Sequence, residues 1–174
     1  LNDSVYCTVG VQGSGKSFFA KKMQLEHKAV IINLDKYFYK DGVYSWNPQV
    51  DNEAWGKLIE ELKNELKWPH TTIVVDDIFF FLDRRKQIIN LCMEYGRPSV
   101  AVYFDTPVEE CLSRNSNRSN DRKIPEDVIR NYHSKIAKPS PLEGWRSIKR
   151  FTPDGKLQDM WDKIKNKKSD KLQW

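Results

Sequence analysis

Gly10, Gly15, Lys16 and Ser17 stand at the spacing GxxxxGK[ST] inside the stretch GVQGSGKS. That spacing has a chemical meaning. Glycines at 10, 13 and 15, with Ser14 between them, let the backbone curl until successive N–H groups and the start of the next helix surround an anion. Lys16 then reaches the terminal phosphates of a nucleoside triphosphate, and the Ser17 hydroxyl is a ligand for Mg²⁺. A glycine turn joining a strand to a helix would explain neither Lys16 nor Ser17. The flanks supply the required context, because VYCTV before the loop reads as a buried strand and SFFAKKMQLEH after it as a helix.

Acids form the second constellation. Asp35 closes the run IINLD, Asp76 and Asp77 close TTIVVDD, and Asp105 closes SVAVYFD. In an open parallel sheet, ligands gather at the carboxyl ends of the strands. An acid there can take a proton from an attacking hydroxyl or help to hold Mg²⁺, and Asp76 is the second candidate metal ligand beside Ser17. Asp105, just before Thr106 and Pro107, reads instead as part of a helix start. The third constellation is basic: Arg114, Arg118, Arg122 and Lys123 cluster where the helical pattern lapses into NSNRSNDRK. An arginine delivered by a closing loop neutralises a phosphoryl group in flight and helps exclude water.

These groups must be positioned by alternating elements. Strand patterns at VYCTV, AVIINLD, TTIVVDD, SVAVYFD and RSIKRF alternate with helical patterns. DNEAWGKLIEELKNELK places Trp55, Leu58, Ile59, Leu62 and Leu66 on one face behind a cap at Asp51 or Asn52. A later helix turns Ile88, Ile89, Cys92 and Tyr95 inward, and TPVEECLSRN starts with Thr106 as cap and Pro107 at its first position. Another helix runs from Pro125 to about Ala137. KLQDMWDKIKNKK reads as a closing helix that frays into a basic tail at about 163–174. Short, continuously apolar strands alternating with helices imply a parallel sheet of about five strands covered on both faces.

With 174 residues, 39% of them apolar and 12% aromatic, the chain suits one core, so residues 1–174 are expected to form a single domain. Cys7, Cys92 and Cys111 lie in or beside apolar runs without CxxC spacing, which suits buried thiols in a reducing, cytoplasmic setting rather than a disulfide framework. No apolar run approaches the roughly 20 residues of a membrane span, so no membrane partner is expected. A net charge of +5 favours a polyanionic partner. Nothing in the pattern sets an oligomeric state.

Taken together, GVQGSGKS, INLDKYF, VVDDIFFFLDRRK, YFDTPVEECLSRNSNR, KIPEDVI and KPSPLEGW resemble the P-loop kinases that include phage-type polynucleotide 5′-kinase and O-phosphoseryl-tRNA kinase. The resemblance runs from Val5 to about Phe151. It implies an α/β three-layer P-loop NTPase fold with a basic lid at about 115–124, ATP or another NTP as donor, and Mg²⁺. It also implies Asp35 as general base, Asp77 as the acid that holds the acceptor, and Arg118 and Arg114 as lid arginines, Arg118 on the transferring group and Arg114 on the nucleotide.

The departures bear on the acceptor. Phe38 stands where polynucleotide kinases of this kind carry a phosphate-gripping arginine, and Asp77, Ile78 and Phe79 replace their usual DTN. Phe38, Phe79 and Arg122 join Asp77 as acceptor-side candidates. An aromatic pocket from Phe79, Phe80 and Phe81 would suit a flipped base, although core packing is the expectation for at least two of the three. The expected function is transfer of a γ-phosphate to a hydroxyl on nucleic acid, either a 5′-hydroxyl end of DNA or RNA or a hydroxymethylated base in DNA. Other readings are an O-phosphoseryl-tRNA kinase-like enzyme, an ATP-hydrolysing accessory module of a tRNA-modification complex, and a small-molecule or nucleoside kinase.

Overall fold

The computed structural model describes residues 3–45, 47–119 and 123–165. A six-stranded sheet runs in the order β2-β5-β1-β6-β7-β8. Its strands are β1 (Val5–Val9), β2 (Val30–Asn33), β5 (Ile73–Asp76), β6 (Ser99–Phe104), β7 (Ser147–Phe151) and β8 (Leu157–Asp162). The pairs from β2 to β7 are parallel, with Cys7 opposite Val75 on one side and Ala101 on the other. Parallel pairing is possible because each crossover contains a helix: α1 (Lys16–His27), α2 (Pro48–Leu66), α3 (Leu82–Glu94), and the pair α4 (Val108–Ser116) and α5 (Glu126–Lys135). A two-stranded hairpin, β3 (Tyr39–Lys40) with β4 (Val43–Tyr44), projects between β2 and α2.

The strand period of two sorts the side chains into layers. Val5, Cys7, Val9, Ile32, Ile73 and Val75 face α2 and α3, where Leu58, Leu62, Ile88 and Cys92 are fully buried. Tyr6, Val74, Val100, Val102 and Phe104 point to the opposite face, where α1 supplies Ala20 and Met23. A smaller cluster of Val11, Cys111, Leu112 and Ile129 fixes the α4–α5 pair against the phosphate loop. The three-layer α/β arrangement therefore agrees with the expectation from sequence, and all three cysteines are buried. Among the described residues no helix is long and apolar enough to cross a membrane.

Three local expectations are corrected. LQDMWD forms β8, antiparallel to β7, instead of a closing helix, so the sheet has one strand more than expected. Residues 152–156 make a tight reversal in which Thr152 N–H donates to the Lys156 carbonyl at 2.9 Å, with Gly155 at φ 77°. The turn brings Trp161 opposite Ile148, and both are buried. Pairing with an open sheet edge outweighs the helical spacing of Leu157, Met160, Trp161 and Ile164. Second, α2 starts earlier than expected: Asn47 Oδ1 accepts from the N–H groups of Gln49 and Val50, both at 3.0 Å. Asp51 is thereby released to pair with Arg84. Third, α4 begins at Val108, and the Thr106 hydroxyl does not cap it but donates to the Ser14 carbonyl at 2.8 Å. The basic tail expected at about 163–174 lies outside the described residues beyond Lys165.

Candidate functional site

The loop between β1 and α1 is shaped by glycines that no other residue replaces at low cost. Gly13 has φ 81°, and a Cβ there would run into the Cys111 carbonyl; Gly15 has φ 115° and caps α1. The first turn of α1 carries no acid and no side-chain cap, so its N–H groups and the positive end of its dipole are directed at the loop. Ser14 Oγ is buried without a hydrogen-bond partner. Lys16 Nζ donates to the Val11 carbonyl at 2.9 Å. These features fit the polyphosphate of a nucleotide, which offers many acceptor oxygens to such donors.

Asp76, the last residue of β5, is buried beside the loop. Its Oδ1 accepts from the Thr8 hydroxyl at 3.1 Å, and its Oδ2 from the Ser17 hydroxyl at 3.3 Å and the Asn33 amide at 3.2 Å. Ser17 and Asp76 are thus brought together as the sequence suggested. Their hydroxyl and carboxylate oxygens suit a hard cation. Among the described residues no group of three or more His, Cys, Asp and Glu side chains is arranged to hold a metal. One or two protein oxygens completed by phosphate and water is the usual pattern for Mg²⁺.

Asp35 begins the turn after β2, where Asn33 Oδ1 accepts from its N–H at 2.7 Å. The Asp35 carboxyl is open toward solvent on one side. The surrounding walls nevertheless push its pKa above the ordinary carboxylate value, with Lys16 and Arg118 opposing the rise and Asp76 adding to it. The Asp77 carboxyl is pushed up to about 6, first by burial; the Ile78 N–H, Arg84 and Lys16 pull it down, while Asp35 pushes it further up. Burial lowers the Lys16 ammonium, against the attraction of Asp76, Asp77 and Asp35, and Arg118 reinforces the lowering. Lys16, Asp35, Asp76, Asp77 and Arg118 therefore act on one another within one small volume.

On the other side of Lys16 a cleft of about 770 Å³ runs along α1, past Arg114 and Arg118, to the turn Thr152–Gly155. Tyr6, Phe19, Phe104 and Phe151 line it, whereas Asp35, Asp76 and Asp77 do not. Arg114 bridges its two rims: Nη1 donates to the Gly13 carbonyl at 3.2 Å and Nη2 to the Pro153 carbonyl at 2.7 Å. The site thus has a roomy side lined by the phosphate loop and rings, and an acidic side, joined at Lys16.

The end of α4 is held by a residue that sequence reasoning missed. Asn115 at the end of α4 is buried; its amide donates to the Ile124 carbonyl at 2.8 Å and its oxygen accepts from the Ile124 N–H at 3.1 Å. Arg118 follows within reach of Lys16 and Asp35. Arg122 lies outside the described residues. Asp105 accepts from the Tyr103 hydroxyl and from Arg150, each at 3.2 Å, and does not join the acids at Lys16.

Phe38 and Phe79 are corrected as acceptor-side contacts. Phe38 is buried in the core shared with α2, and Phe79 is fully buried against Trp55. Thr8 and Asn33, which orient Asp76, were also missed by sequence reasoning. Asn33 had a signal: it stands two residues before an acid, at a distance where an amide caps its own turn. Arg84 lies beside Asp77 and is ion-paired with Asp51, and only the tertiary structure reveals that role.

A family model described as an AAA domain matches residues 5–139. The L-seryl-tRNA(Sec) kinase of Methanococcus maripaludis is 26% identical over 140 residues, which cover 78% of this chain and 53% of that protein. The L-seryl-tRNA(Sec) kinase of Mus musculus is 33% identical over 69 residues, covering 40% of this chain and 19% of that protein. This chain thus spans about half of the first relative's length and less of the second's. A solved putative kinase from Chloroflexus aurantiacus superposes with a TM-score of 0.67 at 14% identity, covering 87% of this chain and 89% of that one. At that identity the likeness establishes the shared α/β fold alone.

Proposed function

The chain belongs to the AAA domain family over residues 5–139, and from that premise we propose that it is a Mg²⁺-dependent phosphotransferase moving the γ-phosphoryl group of ATP or another NTP to a hydroxyl carried on nucleic acid. The observation that carries this reading is the convergence of Lys16, Asp35, Asp76, Asp77 and Arg118. A loop used only as a docking switch needs Lys16 and Asp76, but it does not need a second and third carboxyl on the far side of the lysine.

The 770 Å³ cleft holds the donor, with the phosphates on the loop and the remainder between α1, Arg114 and the 152–155 turn. Ser17 and Asp76 would hold Mg²⁺, which would neutralise charge on the terminal phosphates. Lys16 leaves the Val11 carbonyl for those phosphates. Asp77 orients the acceptor hydroxyl, and Asp35 takes its proton as the new O–P bond forms and the bond to the β-phosphate oxygen breaks. Arg118 offsets charge on the phosphoryl group in transit. A carboxyl raised by its surroundings is a better proton acceptor than an ordinary one, which suits Asp35 to this role.

A second reading is favoured by the Methanococcus relative: the acceptor is the side-chain hydroxyl of a seryl-tRNA. Both readings are tested by one panel. The protein is incubated with γ-labelled ATP and 5′-hydroxyl DNA, 5′-hydroxyl RNA, hydroxymethyluracil DNA, seryl-tRNA and free nucleosides. Label on a nucleic acid supports the main reading, and label confined to seryl-tRNA selects the second. ATP hydrolysis with no labelled acceptor overturns both in favour of an accessory module, and label on nucleosides alone favours a small-molecule kinase.

A further inference from the structure

Exposed rings lie beside the acidic side of the site, and two nearby cations, Arg84 and Lys36, are ion-paired. Tyr39 and Tyr44 face each other across the β3–β4 hairpin with ring centroids 5.3 Å apart, and remain 44% and 43% exposed. Phe81, 52% exposed, lies edge-on to Phe80 at 5.3 Å. Phe80 in turn meets Tyr132 of α5 at 5.0 Å. Arg84 is spent on Asp51, and Lys36 donates to both carboxylate oxygens of Glu61 at 2.6 Å.

The hairpin is too short to hold these rings by itself, since each strand has two residues. Phe38 anchors it: from its buried position it contacts the Tyr44 ring edge-on at 5.8 Å. The Tyr44 hydroxyl feels the charge of Asp35 and Asp51 and the hydroxyls of Tyr39 and Tyr132. The Asp35–Phe38 turn runs directly into the hairpin, and Phe38 meets the Tyr44 ring, so this ring stands near the proposed base. A half-exposed ring offers a face on which another planar π system can stack.

We propose that Tyr39 and Tyr44 form a stacking wall for the nucleobase that accompanies the acceptor hydroxyl. The proposal rests on the phosphotransferase reading and narrows it. The nucleotide bearing or adjoining the hydroxyl is gripped through its base rather than through a phosphate. Stacking of this kind tolerates any base, because every base has a π face. Backbone phosphates farther along the strand then meet the net positive charge of the chain, +5.

The test uses the full chain saturated with a non-hydrolysable ATP analogue, so that no base enters the donor cleft. Fluorescence anisotropy compares two 5′-hydroxyl single-stranded oligonucleotides, one with a base on its terminal nucleoside and one abasic there. The base-bearing strand is expected to bind about tenfold or more tightly. In a Tyr39→Leu/Tyr44→Leu protein with unchanged thermal unfolding, the preference should fall to within about twofold. Trp68→Leu, an exposed ring elsewhere, should keep it. Equal affinity, no binding of either strand, or a preference that survives the double substitution overturns the stacking wall. The same strands with γ-labelled ATP separate the two ideas. Base-dependent binding with no labelled product removes the phosphotransferase and leaves the wall, whereas equal labelling of the abasic strand removes the wall and leaves the phosphotransferase.

Discussion

Replacing Asp77 by Asn should make the protein more stable and less active, with a stability gain that depends on pH. In the folded chain the Asp77 carboxyl holds its proton up to about pH 6, while the ordinary carboxyl value is 3.8. Between those values the folded state binds more protons than the unfolded state, so this group's contribution to stability falls as pH rises. Below pH 3.8 the group costs nothing. Above pH 6 the cost is complete. A shift of about two units corresponds to a ceiling of about 3 kcal/mol. The side chain is only partly enclosed, so solvent screening reduces this to about 1–2 kcal/mol. Asn keeps the shape and removes the charge. Urea unfolding of both proteins at pH 4 and pH 8 should therefore show Asp77→Asn more stable by about 1–2 kcal/mol at pH 8 and equal or slightly weaker at pH 4. Comparing the two differences cancels every carboxylate that does not interact with Asp77. A gain of the same size at both pH values, or none at pH 8, would refute the claim that enclosure of this one charge is costly.

Other perturbations test neighbouring parts of the site. Asp35→Asn should lower turnover by about 10²–10⁴-fold while leaving nucleotide affinity near wild type, and a wild-type rate in a folded protein would remove Asp35 as the base. Gly13→Ala forces a Cβ toward the Cys111 carbonyl at φ 81°; calorimetry should show a loss of more than about 1 kcal/mol, with weakened nucleotide binding. Arg84→Gln removes a cation that holds Asp77 down, so an NMR titration should place the Asp77 midpoint above that of the wild-type protein. Arg85, fully buried and donating to the Phe79 and Ala137 carbonyls at 2.7 and 2.6 Å, should cost about 3–5 kcal/mol when replaced by Leu, measured by urea unfolding.

The phosphate loop, the acid positions and the alternation of strands and helices were legible because each rests on local pattern: glycine spacing, apolar runs and helical periodicity. β8 was not, because its apolar spacing fits a helix as well as a strand. TPDGK before it carried the competing signal, a proline and a glycine placed for a tight turn, and the open edge beside β7 decided the outcome. The cap of α2 was missed because Asn47 precedes Pro48, while Asp51 and Asn52 have the same capping chemistry four residues on. Phe38 and Phe79 were misassigned because burial is a property of the packed chain. Position 79 even takes φ 50°, which turns its carbonyl toward Arg85 and its ring into the core. Of the acidic side, Asp35 and Asp77 were readable as strand ends, but the aromatic hairpin beside them was not, since two-residue strands leave almost no periodicity.

Asn115 ties the end of α4 to Ile124 with a pair of amide hydrogen bonds, so the two ends of the chain between them are fixed to each other. The cost of closing a loop whose ends are already fixed grows only with the logarithm of its length. The placing of α4 against α5 is carried by this clasp together with the apolar cluster of Val11, Cys111, Leu112 and Ile129. A single buried amide fastens two stretches of chain nine residues apart, so the helix pair and the phosphate loop it packs on hold their places as one unit.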